Sequence, residues 1–291
     1  LSYANGNQPL WDDYGNMKQF VAESLPSFHT VGNHEWFDSR DNSFVAYQAR
    51  YDNPPLPNGD KELYYSFDAG LVHWVMVAGY CEEMKSVLAV PCLDEGTEQY
   101  DWLLADLAGV DKSVTPWVVV VFHQPYVNSN YAHDMATEGA PMQAAIESIL
   151  FEYKVDLVFS GHVHAYERSC QVYQYKCVDG APYYITIGDG GNSEGLASDW
   201  MEPQPEWSVF RQASYGHGEL TAYNATHMYW AWRQNEDLDH TELDTFWFAK
   251  GDTAANRKGL LSHTTGEPVF ADTDRGRRAA AFDKAVRSSG N

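Results

Sequence analysis

Three short stretches of this chain carry the side chains with most chemistry to offer. In "FSGHVHAYERS" (159–169) two histidines, His162 and His164, stand two residues apart, with Glu167 and Arg168 after them. Neutral imidazole is the commonest metal ligand, and residues i and i+2 share a face of an extended chain. "WVVVVFHQP" (117–125) delivers His123, and "SFHTVGNHEWF" (27–37) delivers Asn33, His34 and Glu35. One histidine at a strand end is commonly a packed or solvated side chain. Three strand ends converging on imidazole and a side-chain amide point instead to a metal site. That donor set suits Zn, Fe or Mn better than Ca or Mg alone.

The surrounding pattern says how such residues are positioned. "VDLVF" (155–159) and "WVVVVF" (117–122) are apolar throughout, as strands buried on both faces are, and residues 27–31 read as a shorter apolar strand. "EQYDWLLADLAG" (98–109) places Tyr100, Leu103, Leu104 and Leu107 at helical spacing and ends at Gly109. "APMQAAIESILFEYK" (140–154) is a second helix with Pro141 in its first turn. Alternating helices and strands predict an α/β sheet, whose ligand crevice lies beyond the carboxyl ends of its strands. Residues 62–79 read as a hairpin around Asp68, Ala69 and Gly70. After residue 170 the character turns to β, with strands expected in 181–191, 216–224 and 226–235. "GDGGN" (188–192) reads as a tight turn, since no phosphate-loop pattern surrounds it.

The 291 residues are 44% apolar and 14% aromatic, enough for one large core or two small domains. A net charge of −22 argues against nucleic-acid binding through a basic face. The charge is uneven: residues 250–291 hold eight of the 19 basic and five of the 41 acidic side chains. An anionic substrate would therefore need local metal charge to attract it. No apolar run approaches the ~20 residues of a membrane span. Residues 250–291 are read as a polar, poorly ordered tail to a domain spanning 1–249. The four cysteines, at 81, 92, 170 and 177, permit three pairings; the local one, Cys81–Cys92 and Cys170–Cys177, is expected. With the sequon Asn224-Ala225-Thr226 they suggest a secreted, glycosylated protein.

Taken together, "LSYANG" (1–6), "GNHE" (32–35), "FHQP" (122–125), "SGHVHAYER" (160–168) and "ITIGDGGN" (185–192) resemble the metallophosphoesterases, and more narrowly the purple acid phosphatases of plant and fungal type. The resemblance covers roughly residues 1–248. It implies a four-layer α/β/β/α sandwich with two mixed β-sheets. It also implies an acid phosphatase that hydrolyses small phosphate monoesters with a water or hydroxide activated by two metals. Tyr3 and His164 match ligands of Fe(III), and Asn33, His123 and His162 match ligands of a divalent Zn, Mn or Fe. His34 matches a histidine that contacts the substrate phosphate. Taken singly, Tyr3 would be a partly buried tyrosine and Asn33 a turn residue.

The sequence departs from the family pattern in two places. An aspartate that bridges the metals, and a further aspartate motif, would precede Leu1, so the resemblance implies an N-terminally incomplete chain. Where plant members carry adjacent histidines, this chain has Ala132 and His133; His133 is either a second leaving-group donor or a solvated loop residue. Glu167 and Arg168 are read as structural, an ion pair behind the site. The remaining alternatives are another metallophosphoesterase, such as a nucleotidase or phosphodiesterase, and a non-catalytic secreted relative. The presence of Tyr3 favours the phosphatase over the first. Oligomeric state is not legible.

Overall fold

The structure is a computed structural model that describes residues 2–4, 6–36, 43–80, 91–133 and 135–251. Its strands are β1 (Tyr65–Ala69), β2 (Val72–Met76), β3 (Trp117–Val121), β4 (Leu157–Ser160), β5 (Tyr166–Tyr173), β6 (Lys176–Cys177), β7 (Tyr183–Ile187), β8 (Ser208–Gln212), β9 (Gly216–Ala222), β10 (His227–Gln234) and β11 (Glu242–Ala249). The α-helices among the described residues are α1 (Gln8–Ala22), α2 (Asn33–Trp36), α3 (Val45–Gln48), α4 (Glu98–Gly109) and α5 (Ala140–Glu152). A unit spanning Leu1–Phe248 holds nearly all of them; the segment Ala249–Asn291, and with it the expected tail, lies almost wholly outside the described residues.

The larger sheet runs β1-β2-β3-β4-β7-β5-β6, with β8 also paired to β5. Its centre, β2 to β3 to β4 to β7, is parallel, and β1 and β5 close it antiparallel on either side. The apolar runs form this parallel centre because both faces are covered. Val118, Val120 and Val158 pack with Leu103 of α4 and Ile146 and Leu150 of α5. Val119, Leu157 and Phe159 face the other way, against Trp230, Trp232 and Phe248 of the second sheet, β11-β10-β9. The two-sheet α/β architecture is the one expected. Thr97 caps α4 by accepting from the Tyr100 amide, with Glu98 and Asp101 in the first turn where acidic charge meets the helix N-terminus favourably.

Two expectations are not met. Residues 26–32 join no strand ladder; they are held by side chains, with Thr30 Oγ1 donating to the Val77 carbonyl (2.8 Å) and Tyr65 Oη donating to the His29 carbonyl (2.7 Å). Ahead of this segment α1 buries Trp11. Glu167 and Arg168 do not pair with each other, because neighbours on β5 point to opposite faces. Arg168 instead makes a two-pronged ion pair with Asp244 of β11 (2.7 and 2.8 Å), and Tyr166 donates to the same carboxylate at 2.6 Å. Glu167 accepts from the Ser129 amide and from the Ser129 and Ser208 hydroxyls.

Cys170 and Cys177 form a disulfide, as expected. Cys81 lies outside the described residues, and with it the expected Cys81–Cys92 pairing. "GDGGN" is a turn at the end of β7. There Asp189 is fully buried, accepting from the Trp232 indole at 2.8 Å through one oxygen, while its other oxygen has no partner among the described residues. At the hairpin side, His73 of β2 lies between Asp68 of β1 (2.7 Å) and Asp106 of α4 (3.0 Å).

Candidate metal centre

Past the carboxyl ends of β3 and β4 the chain delivers its imidazoles. The Gly161 amide donates to the His123 carbonyl at 2.9 Å, which ties the two strand ends together. Residues 161–165 then wind tightly, with bonds from Val163 N to Gly161 O (2.7 Å) and from Ala165 N to Val163 O (2.8 Å). The two histidines are thus not on an extended strand, and their rings go to different partners. His162 has a left-handed backbone, φ 63°, and so does Tyr3, φ 53°. Such conformations are costly for residues with a side chain and persist where surrounding structure enforces them, commonly at functional sites.

His162 Nδ1 comes within 3.2 Å of His123 Nε2, which is itself 2.9 Å from Asn33 Oδ1. Three neutral donors, an amide oxygen and two imidazole nitrogens, therefore crowd around one point. Gly32 permits this, since a Cβ there would lie 2.7 Å from the His123 ring. Glu35, buried, accepts from the Gly32 amide at 2.9 Å and holds the same loop. The second grouping is Tyr3 Oη with His164 Nε2, 2.6 Å apart. His164 Nδ1 is 3.1 Å from the Gly195 carbonyl, which can only accept, so Nδ1 carries the hydrogen and Nε2 turns a lone pair to Tyr3. The His34 ring lies against Tyr3, centroids 4.0 Å apart.

Burial holds His123 well below the ordinary imidazole pKa, and burial does the same to His162 against the opposing pull of Glu138. Both are then neutral and have lone pairs to give. Burial, followed by the charges of Glu194 and Glu35, pushes the Tyr3 phenol up to about 12. A phenolate there needs a cation beside it. The donor chemistry fits a neutral N,N,O set for a divalent ion, and an anionic oxygen with one nitrogen for a harder one.

A family model for calcineurin-like phosphoesterases matches residues 3–166, more than half of the chain. The chain belongs to the calcineurin-like phosphoesterase family. Within it, relatives 42–45% identical to this chain are named purple acid phosphatases. Residues 181–245 match a model described as iron/zinc purple acid phosphatase-like protein C. Probable purple acid phosphatase 20 of Arabidopsis thaliana is 45% identical over 251 residues, 85% of this chain and 56% of that protein. Fe(3+)-Zn(2+) purple acid phosphatase 12 of the same plant is 37% identical over 275 residues, 89% of this chain and 56% of that one. Purple acid phosphatase PPD1 from yellow lupin seeds matches in structure with TM-score 0.70 at 26% identity, over 85% of this chain and 44% of that one. The chain thus spans little more than half the length of these curated relatives.

One further residue of this site, Glu138, carries no motif in the sequence. Glu138 Oε2 lies 2.9 Å from His162 Nε2 and 3.0 Å from His133 Nδ1. It sits in a one-turn π-helix, Met135–Gly139, ahead of α5. Turns of that kind concentrate at functional sites, but no local motif announces one. The His133 and His162 rings lie 3.7 Å apart, so His133 stands beside the centre rather than in solvent. Hydrogen bonds from His133 and then His162 draw the Glu138 carboxyl down to about 2.

Proposed function

We propose that this protein hydrolyses phosphate monoesters at a centre of two metal ions. The observation that carries this reading is the convergence of Asn33 Oδ1, His123 Nε2 and His162 Nδ1 within 2.9 and 3.2 Å. Asn33, His123 and His162 would hold a divalent ion, and Tyr3 with His164 a ferric one. The iron and zinc named for the relative with 37% identity support that pair. When bound, the pair supplies Lewis acidity that activates water and takes up charge on the phosphate.

The chain's own residues do the rest. Asn33 contributes an oxygen without charge, which leaves the divalent ion a stronger acid than a carboxylate would. The Tyr3 ring, packed against His34, holds it where its N–H can meet a phosphate oxygen as charge builds there. His133, stacked on His162, is placed to give a proton to the departing alkoxide. Water supplies the oxygen that replaces the alkoxide on phosphorus, so no side chain becomes phosphorylated. Acid operation is favoured because burial holds His123 and His162 below the ordinary imidazole pKa.

We assign the protein to the outside of the cell, with a glycan on Asn224. The support is the disulfide and the sequon's place in the turn between β9 and β10, where Asn224 Oδ1 accepts from Thr226 Oγ1 at 2.9 Å. Among the described residues no helix is long and apolar enough to cross a membrane.

The test is release of phosphate from a panel of monoesters at pH 5 by the protein loaded with iron and zinc. Loss of turnover in His123→Ala and Asn33→Ala, and loss of visible colour in Tyr3→Phe, are expected. Unchanged turnover in both of the first two would overturn the reading. Removal of a glycan by an N-glycosidase, absent in Asn224→Gln, checks the modification.

A further inference from the structure

We propose that Glu138 is the positioning residue that selects which ring nitrogens His162 and His133 present, so that His162 meets the cation through Nδ1. This rests on reading Asn33, His123 and His162 as a cation site. Both imidazoles approach the same oxygen, Glu138 Oε2, at 2.9 Å from His162 Nε2 and 3.0 Å from His133 Nδ1. An ionised carboxylate has no hydrogen to give, so each of those nitrogens must donate. A neutral imidazole carries one N–H. With that hydrogen on Nε2, Nδ1 of His162 is bare, and Nδ1 is the atom turned to His123 Nε2 at 3.2 Å.

The same oxygen fixes His133 with its hydrogen on Nδ1 and leaves Nε2 as the nitrogen that can meet a substrate. The rings are centroid to centroid at 3.7 Å and tilted by 33°, so neither turns without disturbing the other. Carboxylates that hold the outer nitrogen of a ligating histidine fix its orientation and strengthen it as a ligand. Here one carboxylate oxygen does so for a ligand and for a candidate proton donor at once. The local backbone explains the reach: the turn Met135–Gly139 brings Glu138 back beside His133, five residues earlier.

There is a rival. The donor atoms of His133, Glu138 and His162 all lie within 4.8 Å of one another and could themselves hold a cation. Zinc titration of the protein and its variants separates the two, with nitrogen-15 NMR of the histidine rings in the metal-free protein as a second readout. Glu138→Ala is expected to weaken zinc binding about 10- to 100-fold and to spread the His162 hydrogen over both nitrogens. Glu138→Gln keeps an oxygen that accepts, so the Nε2–H form should persist. His133→Ala should bind zinc within about threefold of the parent, since it removes no ligand on this assignment.

A loss in His133→Ala as large as in Glu138→Ala would overturn the proposal, because the cation would then lie on the triple. So would a Glu138→Ala variant unchanged in both affinity and His162 form. Zinc binding by His123→Ala tests the underlying site separately: if it is undiminished, the site assignment fails, while the NMR still decides the role of Glu138.

Discussion

Asp189 keeps a carboxyl in a place without water. Burial pushes its pKa up from 3.8 to about 6, the Trp232 bond pulling weakly the other way. A raised carboxyl means the unfolded chain gives up its proton first as pH climbs. The fold therefore loses stability from about pH 4 to about pH 6 through this group and stays lower above that. Asp189→Asn should stabilise at pH 7.5 by on the order of 2 kcal/mol and make little difference below pH 4. Urea midpoints at the two values check it; an equal shift at both would contradict the argument. Gly32 is constrained by volume rather than charge. A methyl at position 32 would strike the His123 ring at 2.7 Å. Gly32→Ala should cost about 100-fold in turnover, with a melting point nearly unchanged, since a small displacement of a ligand is enough. Zinc affinity measured beside thermal melting separates that from simple unfolding.

At the scale of elements, His73 latches β1, β2 and α4 together. Burial works against its charge, but hydrogen bonds and charge from Asp106 and Asp68 outweigh it and raise its pKa above 6.5. The stabilisation is complete below pH 6.5 and is lost as pH rises through the raised value. His73→Gln should therefore cost about 1 kcal/mol at pH 5.5, Asp68 being exposed, and almost nothing at pH 9. Calorimetry at both pH values reads this; a deficit that grows with pH would refute the latch.

The elements differ in how openly the sequence announces them. The strands β3 and β4 and the helices α4 and α5 are legible because burial leaves an uninterrupted or evenly spaced apolar pattern. Residues 27–31 have that pattern too, yet a strand needs a neighbour's backbone, which composition does not report. β5 hides for the opposite reason: Glu167 and Arg168 look like surface residues, and their partners Ser129, Ser208 and Asp244 are far away in sequence. Asn33, His123, His162 and His164 could be named from strand-end motifs. Glu138 could not, since only the folded turn brings it to His162, 24 residues on.

For the molecule as a whole, a buried polar cluster around Asp244 joins the two sheets within an apolar layer rich in aromatic rings. Arg168 and Asp244 are 6% and 5% exposed, the guanidinium lies over the Phe246 ring, and the Trp230 indole donates to Tyr166, which donates to Asp244. Removing one partner of a buried pair strands the other charge. Asp244→Ala should cost about 3–5 kcal/mol, and Arg168→Met with Asp244→Leu should recover most of that. Equal losses in the single and double variants, by urea unfolding, would show that packing rather than charge holds the sheets.

The bond from Trp232 to Asp189 also turns the interior into a light signal. The chain has ten tryptophans, but this indole donates to a carboxylate whose charge switches near pH 6. Its emission should follow that charge, so a fluorescence titration of the folded protein should show an inflection near pH 6, absent from Trp232→Phe and from Asp189→Asn. The protein would then carry its own dye, reading protonation from within the layer between its sheets.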